Sequence, residues 1–180
     1  MGAEAAAEQT PAESTPENVD ALLEWLLTAS LVNLGNGCWT NKLEFFLIAF
    51  LQAARYGDIE DVISLASSGV FLDSKDSQGR TALHMASANG HLDIVDYLIT
   101  NGVQDVNAPN VEKNTPLHWA CLNGHIEVVK NLILAGASVS AINSHERTPM
   151  DEAVSRGKMD IIDAIGAAVA QVELSGTRVS

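Results

Sequence analysis

Three stretches of the chain can be laid over one another almost without adjustment. Thr81-Ala82-Leu83-His84-Met85-Ala86-Ser87-Ala88-Asn89-Gly90-His91 aligns with Thr115-Pro116-Leu117-His118-Trp119-Ala120-Cys121-Leu122-Asn123-Gly124-His125. Thr148-Pro149-Met150-Asp151-Glu152-Ala153-Val154-Ser155-Arg156-Gly157-Lys158 follows as a third copy, and Ala53-Ala54-Arg55-Tyr56-Gly57-Asp58 precedes them without its front end. The glycines at 57, 90, 124 and 157 are therefore 33, 34 and 33 residues apart. A period of this length limits the chain to stacked units, because one unit alone is too small to bury its own apolar faces.

Each recurring position has a physical reason. Thr81, Thr115 and Thr148 are N-caps whose hydroxyl can accept from the free N–H groups of the first turn. Pro116 and Pro149 stand at the first helical position, where a missing N–H costs nothing. Gly57, Gly90, Gly124 and Gly157 end the first helix in the left-handed conformation. A second helix follows with apolar residues at helical spacing: Val95, Leu98 and Ile99, then Val129, Leu132 and Ile133. Gly69, Gly102 and Gly136 end that helix and open a hairpin. The one 34-residue spacing places an extra residue between Val103 and Asn107. Gln104 is the best candidate, and it is expected to bulge from a loop.

These motifs resemble the ankyrin repeat, and the resemblance covers roughly residues 53 to 165. It implies an all-α ankyrin-repeat solenoid of about four helix-turn-helix repeats with hairpin fingers. It also implies that His84 and His118 tie neighbouring loops by hydrogen bonds. The expected organisation is a disordered acidic tail over 1–20, a lead-in or inserted segment over 21–52, the repeat domain over 53–174, and a C-terminal tail over 175–180.

Residues 25–52 fit the repeat poorly. Without them, Asp20-Ala21-Leu22-Leu23-Glu24 joins Ala53-Ala54-Arg55-Tyr56-Gly57 and supplies the missing first turn. The run Phe45-Phe46-Leu47-Ile48-Ala49-Phe50-Leu51-Gln52 reads as a translated polypyrimidine tract closed by a CAG acceptor. Two readings stand: translated retained-intron sequence, whose deletion raises stability or soluble yield, or a lead-in helix from Lys42 to Tyr56 that covers the end of the stack.

Charge and composition exclude several functions. There are 23 acidic residues against 10 basic ones, and five of the acids lie in the first twenty residues, where there is no Lys or Arg. A net charge of −13 repels phosphate backbones, so direct nucleic-acid binding is not expected. Cys38 and Cys121 form neither a disulfide framework nor a metal-ligand spacing. The most apolar run, Leu43 to Ala54, is too short to cross a bilayer. There is no phosphate-binding glycine loop, and the adjacent carboxylates Asp151 and Glu152 point in different directions on a helix. The reading is a monomer of the cytoplasm, the nucleus or both, with no catalytic residue, metal or cofactor.

In the ankyrin family the finger tips and the exposed side of the first helix line a concave partner surface. Carried onto this sequence, that surface holds Arg55 and Tyr56 from the first repeat, and Ser77, Gln78, Arg80, Met85, Ala88 and Asn89 from the second. The third supplies Val111, Glu112, Asn114, Trp119, Leu122 and Asn123. The fourth supplies Ser144, His145, Arg147, Glu152, Ser155 and Arg156. Trp119 is either an outward anchor or a wedge against a neighbouring finger, and Cys121 reads as core. The two best-preserved helices also resemble a small fungal ankyrin protein that chaperones a basic small-subunit ribosomal protein, and small plant ankyrin proteins. That resemblance implies a chaperone or escort of a basic ribosomal protein. The alternative is a scaffold or adaptor in signalling or proteasome assembly.

Overall fold

A computed structural model describes the backbone of residues 38–175 and the side chains of residues 44–174. Eight helices follow one another among these residues: α1 (Cys38–Tyr56), α2 (Ile59–Ser67), α3 (Ala82–Asn89), α4 (Leu92–Thr100), α5 (Pro116–Asn123), α6 (Ile126–Leu134), α7 (Pro149–Ser155) and α8 (Met159–Ser175). They pair as α1·α2, α3·α4, α5·α6 and α7·α8. The first helices pack along one row, α1 on α3 on α5 on α7, and the second helices along another. The all-α repeat stack expected from the sequence is what the chain builds. The expectations for residues 1–37 and 176–180 lie outside the described residues, and Ser175, expected in the tail, ends α8.

The core runs the length of the stack between the two rows. Leu83 and Leu117 occupy the same repeat position and are buried, as are Val95, Val129, Leu98 and Leu132 on the second helices. Gly90 shows why glycine recurs where the first helix ends. Its φ is +81°, and a Cβ there would lie 2.5 Å from the His125 ring of the next repeat. Gly57 meets the His91 ring in the same way, at 2.6 Å. The position therefore needs both a left-handed backbone and no side chain.

The hairpin fingers carry their own rule. Asp76, Asn110 and Asn143 recur at one position, and each side chain accepts two backbone N–H groups of its own turn. Asn110 Oδ1, for example, accepts from Glu112 at 3.0 Å and Asn114 at 2.9 Å. Gly79, Lys113 and Glu146 then take positive φ at the tip, at 71°, 59° and 60°. Successive fingers are joined by single backbone bonds, Val111 N–H to Gln78 O at 3.0 Å and Ser144 N–H to Glu112 O at 2.9 Å. Gln104 is exposed in its finger loop, and its N–H donates to the Asp73 carboxylate at 3.0 Å.

The first repeat is completed in a way the repeat motif did not foretell. Helix α1 runs unbroken across the expected boundary after residue 52. Its last two turns occupy the first-helix place, so Phe50 stands in register with Leu83 and Leu117 and is fully buried. Ala49, Leu51, Ala53 and Ala54 are buried beside it, and Phe46 and Leu47 pack on the same core. Residues 38–52 are thus built into the stack as a lead-in helix. It starts at Cys38, earlier than the expected Lys42. In the full chain Phe50 fills the end of the core. Phe50→Ala is expected to cost about 3–4 kcal/mol of stability, read as a lower denaturant midpoint at unchanged m-value.

Candidate functional site

Four of the five histidines hold repeats together. The Thr81 N–H donates to His84 Nδ1 at 3.2 Å, and the Thr81 hydroxyl meets the same nitrogen at 3.0 Å. His84 Nε2 faces the Asn114 carbonyl of the next finger at 3.0 Å. With donors on one nitrogen and a carbonyl at the other, the partners assign the neutral tautomer with its proton on Nε2. His118 repeats this with Thr115 (N–H to Nδ1, 3.1 Å) and reaches the Arg147 carbonyl at 3.1 Å. These are the inter-loop ties implied by the resemblance. His91 and His125 reach backwards instead, to the carbonyls of Arg55 at 2.9 Å and Ala88 at 3.0 Å. The sequence shows only that each follows the glycine that ends a first helix, and that constant place is the available signal.

In the last repeat, Asp151 and Lys158 stand where histidines stood. The Asp151 carboxylate accepts from Thr148 N–H and hydroxyl at 2.8 and 2.7 Å, and these bonds hold it below the usual carboxylate range. No later finger is there among the described residues to receive an Nε2 proton, so a local cap suffices.

Burial pushes the His84 imidazole down to about 4, against a weaker upward pull from its bond to Asn114 O. Burial likewise lowers His118. It raises the Cys121 thiol to about 12, which leaves it a packed, protonated core group.

An open cleft of 280 Å³ lies between α5, α7 and the finger that joins α6 to α7. Helix α5 contributes His118, Trp119 and Leu122; the finger gives His145 and Arg147; α7 gives Glu152, Ser155 and Arg156; Asn114 closes the remaining side. Trp119 is half-buried, with its ring edge-to-face on His84 at 5.5 Å. It is thus partly wedged against the preceding repeat and partly open to the cleft. The Glu152 carboxylate accepts from Asn143 Nδ2 at 3.0 Å and pairs with the Arg147 guanidinium at 3.5 Å. Asn143 Nδ2 also reaches Asn114 Oδ1 at 2.8 Å.

Eight of the partner-surface residues expected from sequence therefore share one cleft: Asn114, Trp119, Leu122, His145, Arg147, Glu152, Ser155 and Arg156. The others expected on that surface do not line it. Met85 is 7% exposed and belongs to the core, because α5 packs over its position. Asn114 and Glu152 are each 9% exposed and offer little beyond their own hydrogen-bonded network. Asn89 Nδ2 donates to Met85 O at 2.8 Å and Asn123 Nδ2 to Ala88 O at 2.6 Å, so both hold the framework. Arg80 is paired with Asp76 at 2.7 Å. Gln78 and Glu112 are exposed on the fingers, and Arg55 and Tyr56 are exposed at the end of α1. Asn143 was not singled out from the sequence, although its place in register with Asp76 and Asn110 was visible.

A separate group of acidic residues lies on the second helices. Helices α2, α4, α6 and α8 carry eight acids and only Lys130 as a base, and that lysine is paired with Glu127 at 2.9 Å. Glu60, Asp93, Glu127 and Asp160 share one repeat position and are all exposed, so they form a row along the second helices. Among the described residues no group of three or more His, Cys, Asp and Glu could hold a metal ion. No helix there is long and apolar enough to cross a membrane.

Two consequences are measurable. The folded pKa of His84 lies below the unfolded value of about 6.5, so unfolding takes up a proton in acid. Its contribution is fully present above pH ~6.5 and is lost as pH falls toward 4, about 2–3 kcal/mol in all; His118 acts in the same direction. Calorimetry from neutral pH down to pH ~4.5 is expected to show falling stability, with a flatter slope in His84→Gln. Trp119→Ala is expected to cost roughly 1–2 kcal/mol of stability, less than a core aromatic, because only part of the ring is packed. A denaturant midpoint shift of core size would place the ring wholly in the core.

Comparison with known proteins supplies the family. The family described as "Ankyrin repeats (3 copies)" matches residues 50–143 and 104–171. The chain is 43% identical over 53 residues to the mitochondrial liver isoform of glutaminase from Rattus norvegicus, covering 29% of this chain and 9% of that protein. It is 49% identical over 51 residues to an L-asparaginase from Dirofilaria immitis, covering 28% and 9%. Acyl-CoA-binding domain-containing protein 2 from Arabidopsis thaliana is 41% identical over 46 residues, covering 26% and 13%. The chain thus matches only a small part of each relative's length, a stretch of one to two repeats.

Proposed function

The chain belongs to the ankyrin-repeat family, and from that premise we propose that it is a non-catalytic chaperone or escort of a basic ribosomal protein, working as a monomer in the cytoplasm, the nucleus or both. The coarser part of this reading is plain: ankyrin-repeat architecture supports a protein-binding or scaffold role. The observation that carries the finer part is the row of exposed carboxylates at 60, 93, 127 and 160. A basic client would find there a repeating negative surface with a single, already paired lysine. This moves the client away from the first-helix and finger face that family analogy favoured.

A second reading, a scaffold or adaptor in signalling or proteasome assembly, is favoured by the cleft between α5 and α7. Its arginines do not suit a basic client, and an adaptor needs surfaces of different character. The discriminating measurement is titration of purified basic small-subunit ribosomal proteins against the chain at two ionic strengths. Affinity is expected to fall at least ~10-fold between ~0.05 and ~0.3 M salt. It should fall comparably when Glu60, Asp93, Glu127 and Asp160 are all replaced by Lys. Salt-insensitive binding, or binding indifferent to the charge reversal, rejects the escort reading.

A further inference from the structure

The cleft between α5 and α7 opposes the charge of the chain that carries it. Arg147 and Arg156 line it, while its one carboxylate, Glu152, is 9% exposed and already engaged by Asn143 and Arg147. Arg156 is exposed and, among the described residues, takes part in no ion pair. Arg80 one finger earlier is different, because Asp76 neutralises it at 2.7 Å. In a protein with a net charge of −13, the lining of this cleft holds two arginines against one carboxylate, with Asp151, which also feels Arg147, outside it.

The wall is formed by Trp119 and Leu122. Leu122 stands where the neighbouring repeats have Ala88 and Ser155, so among the described residues this is the one place in the row of first helices where that position carries a large apolar side chain. The indole is held from behind by the His84 ring. Arg147 is held as well. Its carbonyl accepts from His118 Nε2 at 3.1 Å, its N–H donates to Asn143 Oδ1 at 3.1 Å, and its guanidinium pairs with Glu152 at 3.5 Å. Its side chain is still 51% exposed. A guanidinium with five donors has capacity left for a second carboxylate, and being oriented in advance lowers the cost of binding one.

We propose that this cleft docks an acidic peptide segment of a partner protein, seating one bulky apolar side chain against Trp119 and Leu122 and flanking carboxylates on Arg147 and Arg156. The open, 280 Å³ space is below the usual range for an enclosed small-molecule site, which favours a peptide side chain over a free small ligand. A basic segment is disfavoured by the same two arginines. The surface is separate from the carboxylate row of the second helices, so this proposal does not depend on the escort reading.

The test uses the full chain and three fluorescein-labelled peptides of equal length. Each has a central Phe, flanked in one by Asp and Glu, in the second by Asn and Gln, and in the third by Lys. In anisotropy titrations at low salt the acidic peptide is expected to bind at least ~10-fold more tightly than its neutral counterpart, with the Lys peptide weakest. Arg156→Ala should remove most of that preference without changing the melting temperature, since the side chain is exposed. Saturation with the acidic peptide should shift the Trp119 indole N–H resonance. Equal binding of the three peptides, no binding by any, an unaffected Arg156→Ala, or an unmoved Trp119 resonance would each overturn the proposal. The chain's own first twenty residues are a rival occupant. If amide replacement of Glu4, Glu8, Glu13, Glu17 and Asp20 tightens the acidic peptide ~10-fold or more, the site is occupied in cis and the partner assignment falls. Charge reversal of the carboxylate row should leave peptide binding intact, so failure of the escort reading remains distinguishable.

Discussion

A buried, neutral imidazole that accepts hydrogen bonds from its own helix start and donates one to the next finger is the interaction on which the stack depends. His84 and His118 each satisfy a threonine N–H on one side and a carbonyl of the following repeat on the other. Both ring nitrogens are used, so a buried polar group becomes a directional link with little unpaired capacity left. His91 and His125 link in the opposite sense, each ring lying over the glycine that ends the previous first helix. The repeats are thus joined by polar bonds of fixed geometry as well as by apolar contact. The glycines are needed because the rings come too close for any Cβ.

That geometry also shapes the cleft. The bond from His118 to the Arg147 carbonyl sets the finger against α5, while Asn143, Asn114 and Glu152 tie its base. Trp119 rests on the His84 ring. The side chains offered to a partner are therefore positioned by the groups that hold the stack together. A binding face made this way is rigid before it binds, which reduces the ordering cost of association.

Charge is divided between the two rows of helices. The second helices carry eight acids against one lysine, and four of those acids, Glu60, Asp93, Glu127 and Asp160, share one repeat position exposed to solvent. The cleft carries arginines. Net charge alone describes neither surface, because it averages over faces that point in different directions.

Local signals sufficed for the repeat period, the threonine caps, the prolines, the glycine stops and the histidine ties. Each is a short-range requirement of one helix start, one helix end or one loop, and recurrence at 33 or 34 residues makes each visible several times over. Cys121 is buried, as its reading as core implied, whereas Val154 in the same register of the last repeat is exposed. Other features depend on what lies across the stack, which spacing along one segment does not report. Met85, Trp119 and Glu152 share one repeat position, yet the first is core, the second half-packed beside a cleft, and the third a buried partner of Arg147. Residues 38–52 match no repeat pattern, but they complete the first unit because a helix ending in Phe50 fills the same volume as the missing turn. Sequence by itself determined the repeating unit and its joints. Only the tertiary structure decided how each end of the stack is closed and which side chains of the first helices remain open, because both are set by the shape of the neighbouring repeat.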